Sequence, residues 1–150
     1  MNTRVLKYDL GTQEISVIHL PPISCDHIVL MAADDGRLGL VRLEESRLYF
    51  WSMGAGPDGD VGWAQTRVID LQMLLPFEPL CHPLEMAGFA DAVGVLFMRT
   101  VDRVFSIDLN SCKARKVHEG FDVYGVVPFM SFYTPALGAT STGEGPRVGA

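Results

Sequence analysis

Three segments of this chain repeat one pattern, and that repetition constrains the fold more than any other feature. Arg4–Leu10 reads RVLKYDL, Arg47–Met53 reads RLYFWSM and Arg103–Leu109 reads RVFSIDL. Aligned on their arginines, the third, fifth and seventh positions are Leu6, Tyr8, Leu10; Tyr49, Trp51, Met53; and Phe105, Ile107, Leu109. All nine are large and apolar, while the positions between them are mixed. Side chains alternate across a strand with a period of two, so each segment predicts a β-strand with one wholly apolar face.

The surroundings of the three segments repeat as well. Asp9-Leu10-Gly11 leads through a turn into 15–20 (ISVIHL), and Asp108-Leu109-Asn110-Ser111 leads into a polar strand at 113–118. In both places an aspartate can accept hydrogen bonds from the amides of the turn it opens. Gly39 and Gly94 precede their arginines by eight and nine residues, and His19 and His118 fall near matching strand ends. Between the first two hairpins lie Pro21-Pro22, strands at 27–33 and 38–43, and a tight turn at Glu44-Glu45-Ser46. A Gly/Asp loop at 54–60 then leads to a strand at 62–70. A connector at 71–83 with three prolines, with one helical turn expected at 71–75, separates these strands from a second set at 84–89, 93–98, 103–109 and 113–118. A further strand is expected at 123–133, followed by a Gly/Ser/Thr-rich tail at 138–150 expected to be disordered.

The arginines lie 43 and 56 residues apart, an average close to fifty. Four short strands per unit of that length is the sequence pattern of propeller blades, with a β-sandwich as the alternative. The pattern counts as the second half of one blade, two whole blades and the opening strand of another. The expected fold is therefore all-β: an incomplete, open β-propeller arc of about two to three four-stranded antiparallel blades over residues 1–137. Open sheet edges of that kind favour self-association.

Composition narrows the function classes. The 150 residues carry a net charge of −6 and no basic stripe, which argues against nucleic acid as a partner. Hydrophobic residues make up 48%, yet the longest purely apolar run, 28–33, is far too short to cross a bilayer. Three cysteines at irregular spacing fit a reducing compartment, hence cytoplasm or nucleus.

The motifs that could carry chemistry each meet a stronger structural explanation. Gly54, Gly56 and Gly59 spell G-x-G-x-x-G, but a dinucleotide loop must open a helix, and Gly62–Val68 reads as a strand. Cys25, His27, Cys81 and His82 supply zinc-ligand types without zinc-site spacing. Asp34-Asp35-Gly36 and Asp58-Gly59-Asp60 are turn sequences lacking the calcium-loop spacing. No G-x-S-x-G elbow occurs, and no Ser, His and Asp are spaced as a triad. Pro76-Phe77-Glu78-Pro79 spells a P-x-x-P element that also suits a stiff connector. Trp51 is expected in the core, and Trp63 could be core or anchor. No catalytic residue, metal ligand or cofactor site is assigned.

The strings YDLGTQEISVIHLPP, DDGRLGLVRL, RLYFW, GWAQTRVIDL, GFADAVGVLFMRT, VFSIDLNSCKARKV and YGVVPFMSFYTPAL, in this order and spacing, resemble the C-terminal β-propeller of plant F-box proteins, the grass type in particular. Members of that family begin with an F-box that binds a Skp1-type adaptor of a cullin ubiquitin ligase, and the propeller behind it recruits the substrate. The present sequence shows no F-box and lacks the first blades, so adaptor binding is not carried over. The resemblance implies a non-enzymatic protein-interaction module, the substrate-recognition portion of an SCF-type ligase, and supplies no catalytic residues. A non-functional truncated gene product and a propeller-fold enzyme are the alternatives. Propeller partners meet the loops between blades and the turns between second and third strands. Here those are 20–27, 44–47, 71–83, 99–103 and 119–123, with Glu44, Glu45, Arg47, Phe77, Arg99 and Asp102 as candidate contacts to an unknown protein substrate.

Overall fold

A computed structural model describes residues 4–23, 27–55, 57–76 and 83–128. The described residues form β1 (Arg4–Asp9), β2 (Glu14–His19), β3 (Ile28–Ala32), β4 (Leu38–Glu44), β5 (Arg47–Ala55), β6 (Val61–Asp70), β7 (Glu85–Ala90), β8 (Val95–Arg99), β9 (Arg103–Asp108) and β10 (Lys113–Glu119). Strands β3 to β6 make one four-stranded antiparallel meander, β7 to β10 make a second, and β1 pairs β2 in a hairpin. The arginine-led strands occupy corresponding places: β5 and β9 are each third in their sheet, and β1 heads a hairpin matching the last two strands. The predicted tail and the later part of the expected 123–133 strand lie outside the described residues. Residues 123–128 form no strand and touch β7 through one backbone bond, Val126 N–H to the Ala87 carbonyl at 2.9 Å.

Register shows how closely the copies agree. Arg47 pairs with Glu44 across the β4–β5 turn, and β9 meets β8 in the same offset, with Arg99 opposite Val104. Asp9 pairs with Glu14 as Asp108 pairs with Lys113. The enclosed turns are built alike. Asp9 Oδ1 accepts the amides of Gly11 at 2.8 Å and Thr12 at 3.0 Å. Asp108 Oδ1 accepts those of Asn110 at 2.9 Å and Ser111 at 3.1 Å. Each turn ends on a residue in the left-handed region, Gln13 at φ 58° and Cys112 at φ 53°.

Two of the sequence correspondences shift by one residue. Gly39 lies within β4 opposite Ser52, whereas Gly94 sits ahead of β8 at φ +65°, closing the turn that follows β7. In the matching β3–β4 turn of the preceding sheet the glycine with that backbone conformation is Gly36, at φ +75°. A bulge between Lys116 and His118 puts Glu119, not His118, opposite Arg103, the place His19 holds opposite Arg4.

Packing follows the strand faces. Val41, Leu43, Leu48 and Phe50 share one face of the β3–β6 sheet and meet Leu96, Met98, Phe105 and Ile107 on the β7–β10 sheet in one buried cluster. Leu71, Leu75 and Leu84, from the connector, join that cluster at one end. The connector is fixed by a short 3-10 turn at Leu71–Met73, where Asp70 Oδ1 accepts the Gln72 amide, and by the Leu71 amide donating to the Ser46 carbonyl. Opposite it, Arg67 reaches between sheets to the Leu109 carbonyl at 2.7 Å while its guanidinium lies 5.9 Å from the Phe50 ring centre.

The nine aligned apolar residues lie on the same face of their strands, the face that in β5 and β9 meets the preceding unit, and their burial tracks what is packed there. Phe105, Ile107 and Leu109 are 1%, 0% and 5% exposed, because a full four-stranded sheet lies against them. Tyr49, Trp51 and Met53 are half-buried, because what lies against them is the two-stranded hairpin. Leu6, Tyr8 and Leu10 are 71%, 53% and 85% exposed. Trp51 is therefore less enclosed than its apolar neighbours suggest, and its Nε1 is buried without a hydrogen-bond partner among the described residues. Trp63 is resolved as a tether, its Nε1 donating to the His19 carbonyl at 2.7 Å and tying the hairpin to the sheet.

Candidate interaction surface

The turns between second and third strands place Glu44, Glu45 and Arg47 at the same end of the stack as Asp102. Each is a two-residue turn, so its charged side chains stand on short, stiff supports at strand ends. Glu45 occupies the first turn position at φ 53°, a conformation usually left to glycine. Glu44 is exposed and pairs with Arg42 at 3.3 Å. Arg47 is exposed and pairs with Asp70 at 3.6 Å, and the Tyr49 hydroxyl and Asp70 together raise its pKa above the ordinary arginine value. In the second sheet the Thr100 hydroxyl donates to Asp102 Oδ1 at 3.1 Å, and the Gly120 amide donates to the Asp102 carbonyl at 2.7 Å. The segment after β10 thereby lies beside the β8–β9 turn. Asp122 there accepts a hydrogen bond from His118, which lowers its pKa below the usual carboxylate value.

The six candidate contacts separate into groups. Glu44, Glu45, Arg47 and Asp102 come together on this rim. Arg99 is tied down by its own sheet and the following segment: its guanidinium is ion-paired to Glu85, its partner across β7–β8, and donates to the Val123 carbonyl at 2.9 Å. Phe77 lies outside the described residues, as do Cys25, Cys81, His82 and the later part of the P-x-x-P element. The same rim carries exposed apolar groups that the sequence pattern did not single out, namely Met73 in the connector, Val101 in the β8–β9 turn and Phe121 beyond β10. The available signal was their place in connecting segments, where a large apolar residue has no core to enter.

The opposite end holds a cleft of ≈ 740 Å³ between the two sheets, bordered by Asp34, Arg67, Asp91 and Asn110. Two of these polar groups, Asp91 and Arg67, hold the sheets together. Asp91 Oδ1 accepts the Ala32 amide at 3.0 Å, and Arg67 is bonded to the β9–β10 turn. The glycine-rich loop joins β5 to β6, two strands, so its helix-opening geometry does not arise. Asp35 Oδ1 accepts the Arg37 amide at 3.0 Å as a turn residue. Among the described residues no group of three or more His, Cys, Asp or Glu side chains is placed to hold a metal ion.

Meandering four-stranded sheets stacked face to face, with equivalent strands in equivalent places, define an open arc of a β-propeller. The model of one propeller family, F-box protein AT5G49610-like, beta-propeller, matches residues 1–137, and the chain belongs to that family. A search of curated proteins found no match.

Proposed function

We propose that this chain is a protein-recognition module that presents substrate to an SCF-type ubiquitin ligase. The observation that carries this reading is the rim itself. Two turns in equivalent places of their sheets put Glu44, Glu45, Arg47 and Asp102 at one end of a packed stack, beside the exposed apolar Met73, Val101 and Phe121. Apolar anchors ringed by charge are what a protein-binding patch requires, since the anchors supply affinity and the charges select the partner. Family membership supports the same reading, because a propeller in an F-box family is an interaction module. Contact with a Skp1-type adaptor would run through an F-box and not through these residues. Cytoplasm or nucleus is the setting in which such a ligase acts.

The test is to fuse the chain behind an F-box in plant cells and identify proteins captured and ubiquitylated by the fusion. The double charge reversal Glu44→Arg, Glu45→Arg and the substitution Phe121→Asp serve as rim variants. Loss of both capture and ubiquitylation of the same protein on either variant is the expected result. Capture indifferent to both variants, or capture without ubiquitylation, would remove the proposal.

A further inference from the structure

Both four-stranded sheets finish at the rim in the same way. Where the last strand ends, the chain turns beside the turn between second and third strands. The Leu71 amide donates to the Ser46 carbonyl at 2.8 Å, and the Gly120 amide donates to the Asp102 carbonyl at 2.7 Å. Ser46 and Asp102 each precede an aligned arginine, and Asp70 and Glu119 stand opposite Arg47 and Arg103. Just beyond each bond a large apolar side chain is left in solvent, Met73 in one sheet and Phe121 in the other, with Val101 exposed in the turn between them.

The acid–base contacts set the sign of this surface. Six of them lie at this end of the two sheets, and in four the carboxylate is the more exposed partner. The Glu44 side chain is 50% exposed against 16% for Arg42, and Asp122 is 81% exposed against 41% for His118. Glu85 over Arg99 and Glu119 over Lys116 follow the same order. Arg103 and Asp102 are nearly even, and Arg47 stands further out than Asp70. Glu45 is exposed and has no ion pair among the described residues. Cations set beneath their carboxylates leave the acids facing outward, in a chain whose net charge is already −6.

We infer that the occupant of the rim is a cationic peptide segment in which Lys or Arg residues flank large apolar ones. This rests on the rim being a protein-recognition surface and adds the chemistry of what it recognises. The cationic heads meet the outer carboxylates, Glu44 and Glu45 first, while the apolar side chains cover Met73, Val101 and Phe121. Charge matching of this kind selects the partner and speeds encounter, and desolvation of the apolar groups supplies affinity. An acidic segment meets like charge everywhere but at Arg47.

The probe is the dye-labelled peptide KRLFKRG, titrated into the 150-residue chain by fluorescence anisotropy beside an acidic counterpart, DELFDEG, and an apolar-free one, KRSSKRG. KRLFKRG is expected to bind about tenfold or more tightly than either, and to weaken as added salt screens exposed charge. The variant Glu44→Gln, Glu45→Gln is expected to weaken it about fivefold, and Met73→Ser, Phe121→Ser by a similar factor. All four side chains are exposed, so both variants are expected to fold, checked by unchanged far-ultraviolet dichroism. Asp58→Asn, Asp60→Asn removes the same charge from the β5–β6 loop at the opposite end and is expected to leave affinity unchanged. Equal binding of the acidic peptide would overturn the assignment. So would an equal loss in the loop variant, which would place the attraction in net charge alone. Rim-dependent capture and ubiquitylation in cells with no binding of KRLFKRG would remove only the partner chemistry, whereas rim-dependent peptide binding without ubiquitylation would remove only the ligase reading.

Discussion

At the residue scale, Leu6 and Phe105 are the same letter of the repeat with opposite energetic weight. Removing the Phe105 ring leaves a cavity between two complete sheets, a change that typically costs about 3–5 kcal/mol. Leu6 is 71% exposed, and an exposed truncation usually stays within about 0.5 kcal/mol. Equilibrium urea unfolding of Phe105→Ala and Leu6→Ala is expected to show that difference; equal losses would contradict the packing described. The alternation itself was plain in the sequence, since period and residue type identify a strand and its apolar face. Its degree of burial was not, because burial depends on how many strands lie opposite, and no residue within RVLKYDL reports on that. For the same reason the sequence pattern overrated Trp51 as a core residue. The candidate contacts divide in the same way. A charged residue in a turn, such as Glu45, reads correctly as surface, whereas Arg99 looks equally exposed in sequence and is committed to Glu85 and Val123.

At the element scale the best-determined object is the turn opened by an aspartate. Both copies were legible, because a short carboxylate two and three residues ahead of free amides has one favourable use. The matching glycines and histidines misled by one residue. A bulge in β10 and a difference in turn construction ahead of β8 shift spacing without changing composition, and spacing was the only guide. The turns also carry a pH dependence. The amides of Thr12 and Gly11 hold Asp9 below the usual carboxylate pKa, and those of Ser111 and Asn110 do the same for Asp108. The folded carboxylates thus bind protons less readily than the unfolded ones. Their contribution is complete above the ordinary aspartate value of about 4 and is lost as pH falls through the lower folded values. Thermal midpoints measured from pH 6 to pH 2 are expected to fall in that acid window, and the double substitution Asp9→Asn, Asp108→Asn is expected to flatten the fall. An identical slope in the variant would assign acid sensitivity to other groups, with Glu119 beside Lys116 and Asp122 beside His118 the next candidates because their pKa values are lowered too.

At the scale of the whole molecule the arc is a short stack in which each unit rests on its neighbours, so stability is distributed by position. The sheet-to-sheet core is enclosed from both sides and ties the connector in through Leu71 and Leu75. The hairpin rests on the stack through one face and the tether from Trp63 to His19. Its other face carries Leu6, Tyr8 and Leu10, all exposed among the described residues.

Both tryptophans of the chain lie on the side of the β3–β6 sheet that meets the hairpin, and neither enters the core between the sheets. Indole emission therefore watches a single seam. On titration with urea, the red shift of Trp51 and Trp63 is expected at lower denaturant than the collapse of the far-ultraviolet dichroism, which averages over every strand. Coincident curves would mean that hairpin and sheets melt as one. Separate curves would give this small arc an optical signal for lifting of its first leaf, obtained without a label.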